Sequence, residues 1–316
     1  MSFTQEVKQE IAHNELRDCC KRAKLSALIQ FCSVLNISHG GLNLVVTTEN
    51  ATTAKNILQL LKSAYSVNTE LSVIKKMKLK KNNIYQIKVF NKAKVILEDL
   101  GLYSTRGLLD KPLLSIVVKE CCARAYLAGA FMASGSVNAP TTSNYHLEIS
   151  TNNVSHANFV VKLMERFYLP AKIVTRRKNE VVYLKAADKI GDFLRCIAAF
   201  NALMKFEDIR IQRDFKNSLT RLDNCELANE VKTHEAAQKQ LKDIELIESC
   251  GYLKQLDEKL IEIVELRKEN PQYSLNELSK EYEKKTGILM SKSGMKHRLK
   301  KIELLALKIK EKERAS

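Results

Sequence analysis

The sequence has no long hydrophobic run: no window approaches 18 consecutive apolar residues, which excludes a membrane-spanning helix. Its opening segment, MSFTQEVKQEIAHNE, is charged throughout and lacks the apolar stretch of a signal peptide, so a soluble cytoplasmic protein is expected. CxxC pairs are also missing. The eight cysteines are Cys19, Cys20, Cys32, Cys121, Cys122, Cys196, Cys225 and Cys250, and none has a histidine nearby at zinc-ligand spacing. Adjacent cysteines such as Cys19-Cys20 do not easily bridge each other or share one tetrahedral metal, and nothing in the sequence points to the oxidising compartments where disulfides persist. Reduced, buried cysteines serving as small apolar residues are expected, with no metal and no cofactor.

Acidic charge is scarce: 36 Asp and Glu face 52 Lys and Arg, a net charge of +16. A basic surface suits nucleic acid or an anionic membrane, whereas lysine-rich composition alone has no binding role. Distribution separates the two. Residues 1–220 hold 32 basic and 18 acidic residues, while residues 221–316 hold 20 and 18. The excess is local. With 45% hydrophobic residues over 316 positions, the chain is long enough for two domains or a duplicated one.

What the sequence does contain is an internal repeat. CCKRAKLSALIQFCS from Cys19 matches CCARAYLAGAFMASG from Cys121. LVVTTENATTAKNILQLLKSAY from Leu44 then matches LEISTNNVSHANFVVKLMERFY from Leu147. Leu44/Leu147, Thr48/Thr151, Asn50/Asn153, Ala54/Ala157, Leu60/Leu163 and Tyr65/Tyr168 are identical pairs. Each unit reads as an apolar helix (about 20–35 and 121–134) and a strand (42–48 and 145–151). An amphipathic helix (51–65 and 154–168), two alternating strands and a closing helix (92–100 and 187–199) follow. Asn50 and Asn153 stand where a helix N-cap is needed. The pattern is α+β, not a succession of βαβ units.

LAGAFMASG, Leu127 to Gly135, resembles the LAGLIDADG motif of homing endonucleases, and LSALIQFCS, Leu25 to Ser33, is its degenerate first copy. The resemblance implies two such helices packed at the interface of two α+β halves, with Ala27, Ala128 and Gly129 permitting close approach. It also implies an acid at each helix end holding a divalent metal. Magnesium is a hard cation that favours oxygen ligands. Here those positions are Cys32 and Ser134, and residues 21–48 and 121–147 contain no Asp or Glu. No nuclease activity by that route is expected. In the resembling nucleases the last two strands of each half form a saddle over DNA. Lys75, Lys76, Lys78, Lys80 and Lys81 fall there in unit one, and Lys172, Arg176, Arg177 and Lys178 in unit two, as candidate phosphate contacts. A solvated hairpin tip is the alternative.

Past residue 203 the strands stop, and a polar helical connector is expected. Then come three short helices: about 256–269, ended by Asn270-Pro271; a second opened by the capping box Ser274-Leu-Asn-Glu277; and a basic third from Ser291. Met295, Leu299, Ile302 and Leu305 are expected to face the core. This reads as a helix-turn-helix. Candidate DNA contacts are Ser291, Lys292, Ser293, Lys296, His297 and Arg298, with Lys300 and Lys301 on phosphates. A three-helix interaction domain with a charged face is the alternative.

The combination of SFTQEVKQEI, CCARAYLAGAFMASGSVN, NCELANEVKTHEAAQKQ, SLNELSKEYEKKTG and SKSGMKHRLKKI resembles the bacterial WhiA family, over nearly the whole chain. That resemblance implies a non-enzymatic, nucleoid-associated regulator of transcription, acting in sporulation or in cell division and chromosome segregation. The expected architecture is a degenerate LAGLIDADG-like domain over 1–202, in repeats of about 19–100 and 121–200. A helical linker over 203–252 and a helix-turn-helix domain over 253–316 complete it. Double-stranded DNA is the expected partner, alongside a protein of the transcription or division machinery; neither a membrane nor a small-molecule substrate is expected. A scaffold whose LAGLIDADG-like domain binds protein is the competing reading.

Overall fold

The computed structural model describes residues 1–38, 41–75, 83–90, 92–105 and 107–315. Two compact units divide the chain, Met1–Arg213 and Asp214–Ser316. In the first, α1 (Phe3–His13) opens with a reciprocal capping box between Ser2 and Gln5, which satisfies amides that a first helical turn leaves unpaired. Phe3, Val7 and Ile11, spaced by four, bury one face. The charged character of this segment hides the helix in the sequence.

The repeat is fully developed. Its first copy runs α2 (Asp18–Cys32), β1 (Ser33–Ser38), β2 (Gly41–Thr48), α3 (Ala51–Tyr65), β3 (Thr69–Lys75), β4 (Asn83–Val89) and α4 (Ala93–Asp99). A hairpin of two-residue strands, β5 (Tyr103–Ser104) and β6 (Gly107–Leu108), follows. The second copy runs α5 (Glu120–Ser134), β7 (Gly135–Val137), β8 (Leu147–Thr151), α6 (Val154–Glu165), β9 (Lys172–Arg176), β10 (Asn179–Leu184) and α7 (Ala187–Cys196). Both form antiparallel four-stranded sheets of matching order, β1-β2-β4-β3 and β7-β8-β10-β9. Equivalent residues hold equivalent register: Leu44 pairs with Val89, and Leu147 with Leu184, all four buried.

Two strands go beyond the sequence pattern. β1 and β7 each begin on the residue after an apolar helix, with no turn between, so hydrophobic content alone carries the first helix on to residue 35. The caps stand as expected. Asn50 Oδ1 accepts from the Thr53 amide at 3.0 Å, and Asn153 Oδ1 from the Ser155 and His156 amides at 2.8 and 3.2 Å.

Helices α2 and α5 pack face to face, and nearly every side of each is buried. Gly129 sets their approach: a Cβ there would lie 2.5 Å from the Lys24 carbonyl oxygen and 2.9 Å from Ala27 Cβ. Such helices show little amphipathicity because no face remains for water.

Helix α8 (Phe200–Ser249) supplies Ala202, Leu203 and Phe206 to the first core. Its Asn201 and Ala202 amides donate to the Glu10 carboxylate at 2.7 and 2.9 Å, placing negative charge at the positive end of the helix. Further along, every side chain of residues 214–232 is exposed.

In the second unit, Ile244 and Ile247 of α8 join a core built by α9 (Glu258–Glu269), α10 (Leu275–Thr286) and α11 (Lys292–Ala315). Ser274 and Glu277 make the expected capping box, and Gly287 ends α10 at φ +70°, a conformation glycine adopts without steric cost. Met295, Leu299 and Ile302 are buried as expected. Leu305 is only half-buried; Ala306 and Ile309 take the inward positions instead, because the helical stripe advances. Among the described residues, no helix is long and apolar enough to cross a membrane.

Candidate nucleic-acid interface

The second unit places α10, a short turn and α11 in helix-turn-helix order. Ser291, Lys292, Ser293, Lys296, His297, Lys300 and Lys301 are exposed, away from the buried Met295, Leu299 and Ile302 of the same helix. Ser291 Oγ accepts from the Gly294 amide at 3.1 Å, so this serine starts the helix. Arg298 differs. It is half-buried, its guanidinium stacks over Tyr282 at 5.6 Å, and Nη1 donates to the Tyr282 hydroxyl at 3.4 Å. Tyr282 in turn donates to Glu262 at 2.8 Å. Arg298 therefore ties α11 to α10 and through it to α9.

Lys292 lines a cleft of about 460 Å³ with Lys232 of α8 and Ser274 and Asn276 at the start of α10. By sequence Lys232 belongs to the connector, and nothing around it marks it as a neighbour of Lys292. Arg267, which also lines the cleft, is buried; it donates to the Tyr273 carbonyl at 2.7 Å and fixes the turn leading into the α10 cap. Burial pulls its pKa down to about 10.

In the first unit, Cys32 and Ser134 are the last residues of α2 and α5, the equivalent positions of the two copies. Cys32 is buried, and desolvation pushes its thiol up to about 12, so it is no anion. Ser134 Oγ is buried without a hydrogen-bond partner among the described residues. Lys8 of α1 lies within electrostatic reach of Cys32, with Nζ 5.9 Å from the Phe131 ring centre. Burial lowers its pKa to about 8. Cys32 and Ser134, both uncharged, thus stand at the two helix ends to which the LAGLIDADG resemblance assigns metal-holding acids.

Of the expected saddle, Lys75 ends β3 and is exposed; Lys76, Lys78, Lys80 and Lys81 lie outside the described residues. Lys172 and Arg176 bound β9, and Arg177 and Lys178 form the tight β9–β10 turn, all exposed. Arg177 has φ +58°. Arg176 is paired with Glu148 of β8 at 3.4 Å, and that carboxylate also accepts from Ser136 and contacts His146. Part of the positive charge is thereby compensated within the sheet.

The cysteines do not all behave as separate apolar residues. The Sγ atoms of Cys19, Cys20, Cys121 and Cys122 lie within 4.8 Å of one another. They sit in the first turns of α2 and α5, at the opposite helix ends from Cys32 and Ser134.

A duplicated LAGLIDADG-like fold without acids at the C-terminal ends of α2 and α5, joined to a C-terminal helix-turn-helix, defines the class of this protein. Residues 18–103 match the WhiA N-terminal LAGLIDADG-like domain, 123–216 the WhiA LAGLIDADG-like domain, and 219–306 the WhiA C-terminal HTH domain. The chain belongs to the WhiA family. It is 44% identical to the probable cell division protein WhiA of Brevibacillus brevis, covering 100% of both chains. With the protein of the same name in Bacillus licheniformis it shares 45% identity, over 97% of this chain and 96% of that one. The crystal structure of full-length WhiA from Thermatoga maritima is similar in fold, with a TM-score of 0.58 and 22% identity over 98% of this chain and 99% of that one.

Proposed function

We propose that this chain is a DNA-binding regulator, acting in transcription, whose second unit reads double-stranded DNA through α11. The observation that carries the reading is the exposed face of α11, where Lys292, Lys296, Lys300, Lys301 and His297 stand together in a helix that follows the Gly287 turn. A helix so presented enters a major groove N-terminal end first, with Ser291, Lys292, Ser293 and Lys296 at base edges and Lys300 and Lys301 on phosphates. Arg298 belongs to this set through its hold on α10, which orients the reading helix. The duplicated domain acts without cleaving DNA. The names of its relatives support a place in cell division, with chromosome segregation or sporulation as the cellular readout, and a nucleoid location follows from DNA binding. We assign the LAGLIDADG-like domain to about 1–202, the connector to 203–252 and the reading domain to 253–316.

Genome-wide mapping of bound DNA in the parent bacterium supplies the sites, and a mobility-shift assay on one of them tests the reader. The variant Lys292→Ala/Lys296→Ala is expected to lose specific retention while keeping its helical circular dichroism. Retention equal to that of the unmodified protein rejects α11 as the reader. A second reading, a scaffold whose LAGLIDADG-like domain binds a protein of the transcription or division machinery, draws on β3, where Leu71, Val73 and Ile74 are exposed on a strand at the sheet edge. Stable partners that survive nuclease treatment, together with unchanged DNA binding in the lysine variant, favour it.

A further inference from the structure

Two adjacent cysteine pairs, 102 positions apart in sequence, meet where the two pseudo-symmetric helices begin. Within each pair the sulfurs are 3.9 Å (Cys19–Cys20) and 4.0 Å (Cys121–Cys122) apart. All four lie within 4.8 Å of one another. Four thiolates at the usual zinc–sulfur bond length of about 2.3 Å, arranged tetrahedrally, stand roughly 3.8 Å apart. The four sulfurs are therefore near that arrangement already, and small rotamer changes close the difference. Adjacency, which in sequence argues against a shared tetrahedral ion, is no obstacle here, because each pair already holds its sulfurs at about the edge length of the tetrahedron.

We propose that Cys19, Cys20, Cys121 and Cys122 form a tetrathiolate site for one zinc ion, which clamps the N-terminal ends of α2 and α5 together. Three features support this. The ligands come two from each helix, so the ion crosslinks the copies of the repeat at the end opposite Cys32 and Ser134. Both helices direct the positive ends of their dipoles at the site, which favours the negative charge of a tetrathiolate complex. A cleft of about 680 Å³, lined by Cys19, Cys122, Arg22, Asp99, Ile116 and Lys119, gives solvent a route to the sulfurs. Binding converts each thiol to a metal-bound thiolate and releases its proton to solvent, up to four per ion, with no change of oxidation state. A single tetrahedral ion suits the spacing better than an iron–sulfur cluster, in which the four cysteines are divided among two or more irons and so cannot all stand at the edge length of one tetrahedron.

The test uses the full chain, purified under reducing conditions without chelator. Elemental analysis is expected to find one zinc per chain in the unmodified protein and in Cys225→Ser, whose thiol is exposed on α8. In Cys20→Ser/Cys122→Ser the content is expected to fall close to zero; undiminished zinc in that variant places the ion elsewhere and overturns the proposal. Should the variant fail to fold, cobalt(II) added to the zinc-free unmodified protein decides: saturation at one equivalent, with the strong visible bands of tetrahedral cobalt and thiolate-to-cobalt charge transfer in the near ultraviolet, supports the site. Substoichiometric zinc with only weak octahedral cobalt bands overturns it. So does acid-labile sulfide, or a disulfide joining α2 to α5 found by mass spectrometry of the protein as isolated.

Discussion

Gly129 sits against the Lys24 carbonyl, and a backbone atom cannot rotate away from an added methyl. Gly129→Ala is expected to destabilise the first unit by about 1–3 kcal/mol, the usual cost of overpacking, despite the better helix propensity of alanine. Gly294 in the first turn of α11 has only ordinary contacts at 3.4 and 3.5 Å awaiting a Cβ. There the same change is expected to stabilise α11 by up to about 1 kcal/mol. Hydrogen-exchange protection of the helix carrying each change reads the sign. His156 offers a pH test. It is buried, its ring nitrogens contact the Tyr126 hydroxyl at 2.8 Å and the Thr151 hydroxyl at 3.1 Å, and burial lowers its pKa from 6.5 to about 4. Between those values the unfolded chain holds a proton that the folded chain refuses. Stability from the neutral ring is thus complete above pH 6.5 and declines as pH falls toward 4, by about 1.4 kcal/mol per pH unit. His156→Gln is expected to flatten the slope of unfolding free energy against pH in that window; an unchanged slope means the imidazole is not held neutral.

Among the elements, α8 combines three environments in one helix. Its first turns and its last turns contribute to cores, while residues 214–232 are solvated on all sides. With Phe215, Leu219 and Leu222 exposed rather than buried, this stretch gains no core burial and is held only by propensity and backbone hydrogen bonds. Amides in 214–232 are expected to exchange much faster than those in 200–206 and 240–247; uniform protection along α8 means that something covers the middle. The α10 cap is the other device of this kind. Ser274→Ala removes the bond from the Glu277 amide to Ser274 Oγ, 3.3 Å long, and is expected to cost about 1 kcal/mol of second-unit stability, measurable by urea unfolding. Elements with chemical punctuation are legible in the sequence: Asn50, Asn153 and Ser274 announce helix starts, and Gly287 a helix end. β1 and β7 are not, because each runs on directly from an apolar helix, with no residue that marks the change of backbone.

Across the whole chain, the repeat is the most legible feature, because duplication writes itself as matching residues at one spacing. Its consequences are less so. The alignment of Cys19-Cys20 with Cys121-Cys122 is visible, but spacing rules for metal ligands look along one segment and not across a symmetry axis between two helices. Arg298 likewise reads as a surface cation, since its stacking partner Tyr282 lies on the preceding helix. Charge is distributed unevenly, with 32 basic against 18 acidic residues in 1–220 and 20 against 18 beyond, so the two units need not contribute alike to DNA affinity. If the LAGLIDADG-like domain supplies sequence-independent attraction and α11 supplies selection, the two effects separate. Lys172→Ala/Arg177→Ala/Lys178→Ala removes exposed cations for which no carboxylate partner is seen among the described residues, in contrast to Arg176. This variant is expected to lower the slope of log affinity against log salt by about 1 for each phosphate that is no longer neutralised, while keeping the ratio of specific to non-specific binding. Lys292→Ala/Lys296→Ala is expected to collapse that ratio. An unaltered salt slope in the triple variant reduces the β9–β10 turn to a solvated hairpin tip and leaves all DNA affinity with the second unit. The two variants therefore distinguish a protein that grips DNA with both units from one that uses the nuclease-like frame for something other than DNA.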